Sequence, residues 1–456
     1  MHAADAIKET TKKIGRSATF KLFTICVLIL VLLISTSMVT SLIHERKSRK
    51  QGVINEISYK WGRAQTITGP VISVPYLQYF EGENGKITSA TRYLHILPDT
   101  VDIRSHITPE IRYRGIYEAV LYNTNLSIDG SFTRAQVDDL RIPSENIMWS
   151  SDFISFGLSD MRGIKDRIEA TFDGTSLSME PGVETADVIA SGVSAGIHLD
   201  DTRETYPFHF ALNLNGSRQI HFTPVGKVTT VTAQSDWKDP SFGGDFLPVE
   251  RTVNEEGFYA KWKVLHLNRN YPQIWKGSDH DLSKSTFGVK LFSPVDVYQK
   301  TMRTAKYALM FIVFTFLAFF ITEVMHRLRV HPVQYLLIGL AIIIFYTLLL
   351  SISEQINFGV AYVLSAGGVI GLITGYAKAI LRNRMVTVMV GGILTILYAY
   401  LYILLQLEDY ALLMGSIGLF LVLAIIMYLT RNIDWYSIQQ GSIKSANAPA
   451  LEASTR

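Results

Sequence analysis

Six runs of 18 to 24 residues in this chain are too long and too apolar to be ordinary elements of a water-soluble fold: Phe20–Ile43, Ala305–Thr322, Val333–Ile352, Ile356–Ala377, Met385–Leu405 and Tyr410–Thr430. A helix rises 1.5 Å per residue, so about 20 apolar residues cross the roughly 30 Å hydrocarbon layer of a bilayer. The runs therefore predict six membrane-spanning helices. They account for a hydrophobic content of 48% in 456 residues and for a mean hydropathy of +0.20. The first run is longer than the roughly 7–15 residues of a signal-peptide core, which predicts an uncleaved anchor.

Basic residues of short loops stay on the cytoplasmic side. Arg327 and Arg329 follow span two, and Lys378, Arg382 and Arg384 follow span four. The loops after spans three and five carry Glu354 and then Glu408 with Asp409. This alternation predicts cytoplasmic tails at 1–19 and 431–456, a bundle of spans over 305–430, and an extracytoplasmic segment at 44–304. That segment holds 29 Lys and Arg against 32 Asp and Glu, leaving the chain's small positive balance of +3 to its membrane topology. Nothing in this distribution suggests a nucleic-acid partner. A single cysteine, Cys26, excludes an intrachain disulfide.

With 261 residues, the segment 44–304 is large enough to bury a core of its own. Its hydrophobic pattern has a period of two. Phe208, Phe210, Leu212 and Leu214 alternate with His209, Ala211 and Asn213, and Asn215-Gly216 then predicts a turn toward Ile220 and Phe222. Hairpin turns are likewise expected at Asn84-Gly85 and Asp173-Gly174, with a corner at Asp129-Gly130. Mainly antiparallel sheets packed as a sandwich follow. Two helical pieces are expected: residues 44–62, continuing span one, and a short one near Thr133–Leu140.

Ion or proton transport normally places ionisable groups at membrane depth. Here Glu323, His326, Glu354 and Lys378 all fall at span ends, so a transporter is the lesser alternative. Gly367, Gly371 and Gly375 form a stripe on one face of span four, which serves helix packing within the bundle or, alternatively, a homo-oligomer. His198-Leu-Asp200-Asp201 and Ser278-Asp-His-Asp281 bring carboxylates near imidazoles, but no HExxH, GxSxG, SxxK or Walker pattern accompanies them. No metal or other cofactor is expected. In Ser241–Pro248, Phe242 and Phe246 are apolar anchors, Gly243-Gly244 a tight backbone and Asp245 a polar contact. These features suit an interaction loop, and equally a corner between strands.

Several stretches carry a family resemblance: Thr68-Gly-Pro-Val-Ile-Ser-Val-Pro-Tyr76, Asp160-Met-Arg-Gly-Ile164, Pro240-Ser-Phe-Gly-Gly-Asp-Phe-Leu-Pro248, Arg303 through Tyr307 to Glu323, His331-Pro-Val-Gln-Tyr-Leu336 and Leu429-Thr-Arg-Asn-Ile-Asp-Trp-Tyr436. In this set and order the chain resembles the CreD family of bacterial inner-membrane proteins. The resemblance implies a place in the cell envelope, control by a two-component regulatory system, and a link to envelope integrity, colicin tolerance and β-lactam stress. It implies no catalytic residue. The expected function is non-catalytic, through contacts of a periplasmic domain with membrane lipids and an envelope protein or cell-wall component. The alternative is an enzyme or transporter of lipid or cell-wall material.

Overall fold

A computed structural model describes residues 18–81, 87–133, 142–199, 203–291, 297–326, 330–381, 383–407 and 410–431. These divide into two compact units, one within Lys50–Val295 and the other drawn from Met1–Arg49 and Asp296–Arg456. Helix α1 (Ala18–Trp61) runs across the division as one element of 44 residues, so span one and the expected helix at 44–62 are continuous.

In the first unit, strands succeed one another as β1 (Gln65–Glu81), β2 (Ile87–Ile96), β3 (Thr100–Arg114), β4 (Tyr117–Thr133), β5 (Phe153–Leu158), β6 (Glu169–Phe172), β7 (Thr175–Leu177), β8 (Glu180–Pro181), β9 (Gly192–Gly196), β10 (Thr205–Ser217), β11 (Gln219–Phe222), β12 (Val228–Ser235), β13 (Pro240–Gly244), β14 (Glu250–Asn254), β15 (Gly257–Leu265), β16 (Ile274–Lys276) and β17 (Phe287–Leu291). One sheet has the order β13-β17-β11-β1-β5-β9-β8, with β2 and β16 extending from β1; the other runs β14-β15-β12-β3-β4-β10-β6-β7. Pairing is antiparallel except for β1 with β11 and β3 with β12.

The alternation in β10 has its expected effect. Tyr206, Phe208, Phe210, Leu212 and Leu214 are buried between less buried neighbours. Phe210 stacks on Phe156 of the other sheet at 5.3 Å, and Trp262 and Phe222 both meet Phe287, so side chains of both sheets join in one hydrophobic cluster.

The expected turns divide. Asp173 (φ 50°) and Gly174 (φ 76°) make the β6–β7 hairpin, because both residue types adopt positive φ at low cost. Asn215-Gly216 is not a turn. Both residues lie inside β10, opposite Asn123 and Tyr122 of β4, and the chain turns at Arg218 (φ 66°) before entering the other sheet as β11. Asp129-Gly130 is not a corner either, since β4 runs through it with β3 and β10 on its two sides. Asn84-Gly85 lies outside the described residues, although Glu81 and Ile87 on its flanks pair antiparallel. The helix expected near Thr133–Leu140 also falls outside them, apart from Thr133, which ends β4.

In the second unit, α1 is accompanied by α2 (Val297–Lys306), α3 (Ala308–His326), α4 (Pro332–Ser353), α5 (Phe358–Leu381), α6 (Arg384–Gln406) and α7 (Ala411–Thr430). Among the described residues six helices are long and apolar enough to cross a membrane: α1 and α3 to α7. The expected second span starts later than predicted, because a turn at Tyr307 interrupts the helix between α2 and α3. Pro332 opens α4, and His331 caps it by accepting from the Val333 N–H at 3.3 Å. The loop residues Arg327, Arg329, Arg382, Glu408 and Asp409 lie outside the described residues.

Candidate interaction surfaces and buried polar chains

The segment singled out in the sequence begins as an edge strand. Residues Pro240–Gly244 are β13, paired with β17 from Pro240↔Leu291 to Gly244↔Phe287. The Phe242 ring meets Phe258 at 5.7 Å and Trp262 at 5.8 Å, both edge-on, and Phe246 meets Phe287 at 5.8 Å. Both phenylalanines are half-buried against the core. Phe242 and Phe246 thus turn toward the core and are not freely presented, because an edge strand over an open core rim draws its large apolar side chains inward. Gly244 (φ 98°) is the glycine the backbone requires, since a Cβ there would lie 2.2 Å from the Thr286 carbonyl oxygen, whereas a Cβ at Gly243 would stand in open space. Asp245 is exposed, and its backbone N–H donates to the same carbonyl at 3.0 Å.

The apolar side chains that remain outside follow directly. Leu247 is 69% and Val249 62% exposed. Val249 leads into β14, the edge of the eight-stranded sheet, in which every residue is exposed. Val253 of β14 and Tyr259 of β15 are exposed as well. An edge strand offers one row of backbone donors and acceptors, and here it is bordered by apolar side chains.

Sequence reasoning missed two polar chains inside the β-rich unit. In the first, Ser73 Oγ lies 2.9 Å from His95 Nδ1, and His95 Nε2 lies 3.4 Å from Asp187 Oδ2. The carboxylate can only accept, which puts the ring proton on Nε2 and makes Nδ1 the acceptor for the Ser73 hydroxyl. Burial holds the imidazole below its ordinary pKa, against the pull of Asp187. This is the order of groups in a serine nucleophile. Yet Ser73 and His95 are 3% and 0% exposed, and β1 is paired on both sides at Ser73. The arrangement ties the Asp187 segment to the sheet. The signal was Ser73, in the middle of an otherwise apolar stretch.

The second chain explains Asp160-Met-Arg-Gly-Ile164. Gln65, fully buried, donates to the Asp160 carbonyl at 2.8 Å and the Asn215 carbonyl at 3.1 Å. The Asp160 carboxylate accepts from the Arg63 N–H and, through two bonds of 2.9 and 3.0 Å, from the Arg162 guanidinium. Burial opposes ionisation of Asp160, but the bonds from Arg162 and Arg63 outweigh it and hold the carboxyl below its usual range. Asp152 contrasts with this: it is 2% exposed, neither carboxylate oxygen has a partner among the described residues, and burial pushes it up to about 7.

Asp281 and His280, of the second His/Asp group, have structural roles. Asp281 caps a short 3-10 turn by accepting from Ser283, and His280 packs edge-on against Trp275 at 5.5 Å. Asp200 and Asp201 lie outside the described residues. A Cβ added at Gly367, Gly371 or Gly375 would meet no other segment within 4 Å among the described residues, so the reading of this stripe as packing within the bundle is corrected. Helix α5 turns Ala361, Ser365, Val369 and Ile373 inward instead. Close approaches occur instead at Gly339 of α4, against Leu32 of α1 and Phe316 of α3, and at Gly418 of α7, against Tyr400 of α6.

Carboxylates of the helical unit sit near helix ends with partners. Glu323 pairs with Lys21 and accepts from the Val330 N–H at 3.0 Å and the Tyr335 hydroxyl at 3.2 Å. Glu354 accepts from the Tyr298 hydroxyl at 2.9 Å and lies 3.8 Å from Arg46.

A family model described as "Inner membrane protein CreD" matches residues 17–436. A curated relative with that name from Escherichia coli (strain K12) is 32% identical over 430 residues, covering 92% of this chain and 94% of the relative.

Proposed function

The chain belongs to the CreD family of inner membrane proteins, and from that premise we propose that it supports cell-envelope integrity and the response to envelope stress through non-catalytic contacts. In this reading both termini are cytoplasmic, and residues 44–304 form a periplasmic β-sandwich that meets an envelope protein or cell-wall component. The observation that carries it is the exposed edge strand β14 with Leu247 and Val249 leading into it. An open edge flanked by apolar side chains can add a strand from a partner, with main-chain bonds giving affinity and apolar contacts giving preference. Phe242 and Phe246 then hold the loop to the core while Asp245 and Leu247 face the partner.

A photo-crosslinking residue at Leu247 in intact cells tests the contact. The expected result is a discrete adduct that disappears when Val253→Lys is introduced on the same edge. No adduct from Leu247, Val249 or Val253 overturns the reading. Topology is tested separately in a Cys26→Ser background. A cysteine at Glu255, whose side chain is 94% exposed, should react with an impermeant maleimide before lysis; reaction only after lysis overturns the orientation.

One observation favours the transporter reading. The hydroxyls of Thr315, Tyr346, Ser365 and Tyr398 are buried among the helices without a hydrogen-bond partner among the described residues. Unmet polar groups in a bundle core mark places where water or a solute can be held. Solute flux in proteoliposomes that falls with Tyr346→Phe would favour that reading over contacts alone.

A further inference from the structure

Within the β-rich unit, a cleft of about 360 Å³ is lined by Ile57, Lys60, Trp61, Arg112, Tyr113 and Arg114. Ile57, Lys60 and Trp61 share a face of α1 at helical spacing. Arg112 and Arg114 are two apart at the end of β3, where the hairpin closes at Gly115 (φ 62°). We propose that this cleft binds a phosphate group of net negative charge. The inference does not rest on the role proposed above.

The cleft is organised before any ligand arrives. The Trp61 indole N–H donates to the Tyr122 carbonyl at 3.2 Å, fixing the ring, and the Arg112 guanidinium lies 3.9 Å over its face. Arg112 donates to Glu110 through Nε at 2.7 Å. Among the described residues its two terminal nitrogens have no acceptor, so a flat, oriented pair of N–H₂ groups is presented to the cleft. Lys60 and Arg114 both pair with Glu56, one on each carboxylate oxygen. Three cations thus stand against two carboxylates.

A tetrahedral oxyanion suits these donors, because a guanidinium edge can give it two parallel bonds and an ammonium a third. Ile57, the exposed Tyr113 ring and the Trp61 edge supply an apolar wall that phosphate alone would leave unused. The volume falls in the range of small-ligand sites, roughly 300–1,000 Å³. Two sources share this chemistry, a phospholipid headgroup and a free phosphate, and the test separates them.

The full-length protein in a neutral detergent is titrated by calorimetry with dihexanoyl phosphatidylglycerol, dihexanoyl phosphatidylcholine and inorganic phosphate. Saturable binding of phosphatidylglycerol is expected, weakened about tenfold by Arg112→Gln and by Lys60→Gln, and weakened by salt. Phosphatidylcholine should bind at least about tenfold less tightly. If inorganic phosphate binds as tightly as phosphatidylglycerol, with the same dependence on the variants, the cleft stands and free phosphate is its source. The proposal is overturned if neither anion saturates, if phosphatidylcholine binds equally, or if the variants bind like the parent. Should Arg112→Gln lower the melting temperature, Lys60→Gln, at a side chain that is 71% exposed, decides between these outcomes.

Discussion

A Cβ added at Gly163, Gly192 or Gly288 of the β-rich unit would lie 2.1–2.2 Å from a carbonyl oxygen of an adjacent segment, whereas one added at Gly367, Gly371 or Gly375 of the helical unit would meet no heavy atom within 4 Å. Ionisable groups differ in parallel. The helical unit gives Glu323 and Glu354 partners near helix ends, while the β-rich unit leaves Asp152 buried with none among the described residues. At these glycine positions of the β-rich unit the backbone of another segment stands where a side chain would be, an approach that only glycine permits. Helices set their spacing by side chains, so a glycine becomes a contact only where a neighbour crosses it. The same residue type therefore reports closeness at Gly163, Gly192, Gly288 and Gly339 and an open face at Gly367, Gly371 and Gly375.

The largest expected effect concerns Asp152. Its folded pKa of about 7 is above the ordinary 3.8, so the folded chain keeps a proton that the unfolded chain releases. Stability is then lost as pH rises from 3.8 toward 7, and the cost is complete above 7. Asp152→Asn should remove that slope and raise stability at pH 8 by up to about 4 kcal/mol. Denaturation followed at pH 5 and pH 8 checks it; equal stability of parent and variant at pH 8 would give Asp152 a partner.

Gly163→Ala should cost about 3 kcal/mol, because the added methyl meets the Asn215 carbonyl at 2.2 Å and backbone must move. A melting temperature within a degree of the parent would remove the contrast between the units. Phe246→Ala should cost about 1–2 kcal/mol, less than truncating a fully buried ring, since Phe246 is only half-buried. A loss twice that size would move Phe246 into the core proper. The smallest effect is expected at Gly371→Leu, below about 0.5 kcal/mol for the bundle, against about 1–3 kcal/mol for Gly339→Val, where Leu32 and Phe316 stand in the way. A large effect at Gly371 on the melting of detergent-solubilised protein would mean that a second copy covers this face.

The six long helices were legible because lipid imposes a length and a composition that no competing fold shares. Asp173-Gly174 was legible because both residues favour the positive φ of its turn. Asn215-Gly216 carried the same signal and misled. There, continued pairing of β10 with β4 outweighs the local preference, and the turn falls on Arg218, a residue type with no leaning toward positive φ. The candidate loop was half legible. Its glycines and phenylalanines marked it as an interaction loop or a corner between strands, but the direction of Phe242 and Phe246 depends on Phe258, Trp262 and Phe287, at other positions in the sequence. The Arg112-Tyr113-Arg114 alternation was visible as text and passed over, because only the fold brings Lys60 and Trp61 to it.

Each sheet is closed by a parallel pair joining an early strand to a late one: β1 with β11, and β3 with β12. The hydroxyl bond between Thr68 and Thr223 joins residues 155 positions apart. As the chain is made from its N-terminus, β1 therefore waits for β5 until residue 158 and for β11 until residue 222, when most of the unit exists. The nine-stranded sheet still lacks β17 until residue 291, just before the second helical stretch begins. Long-range pairing of this kind is slow and leaves strand edges open while it is pending. Synthesis order thus sets a window in which the first strands need shelter, and a ribosome stalled before residue 287 should carry a nascent segment that proteases cut readily, while one stalled after residue 291 has emerged should not.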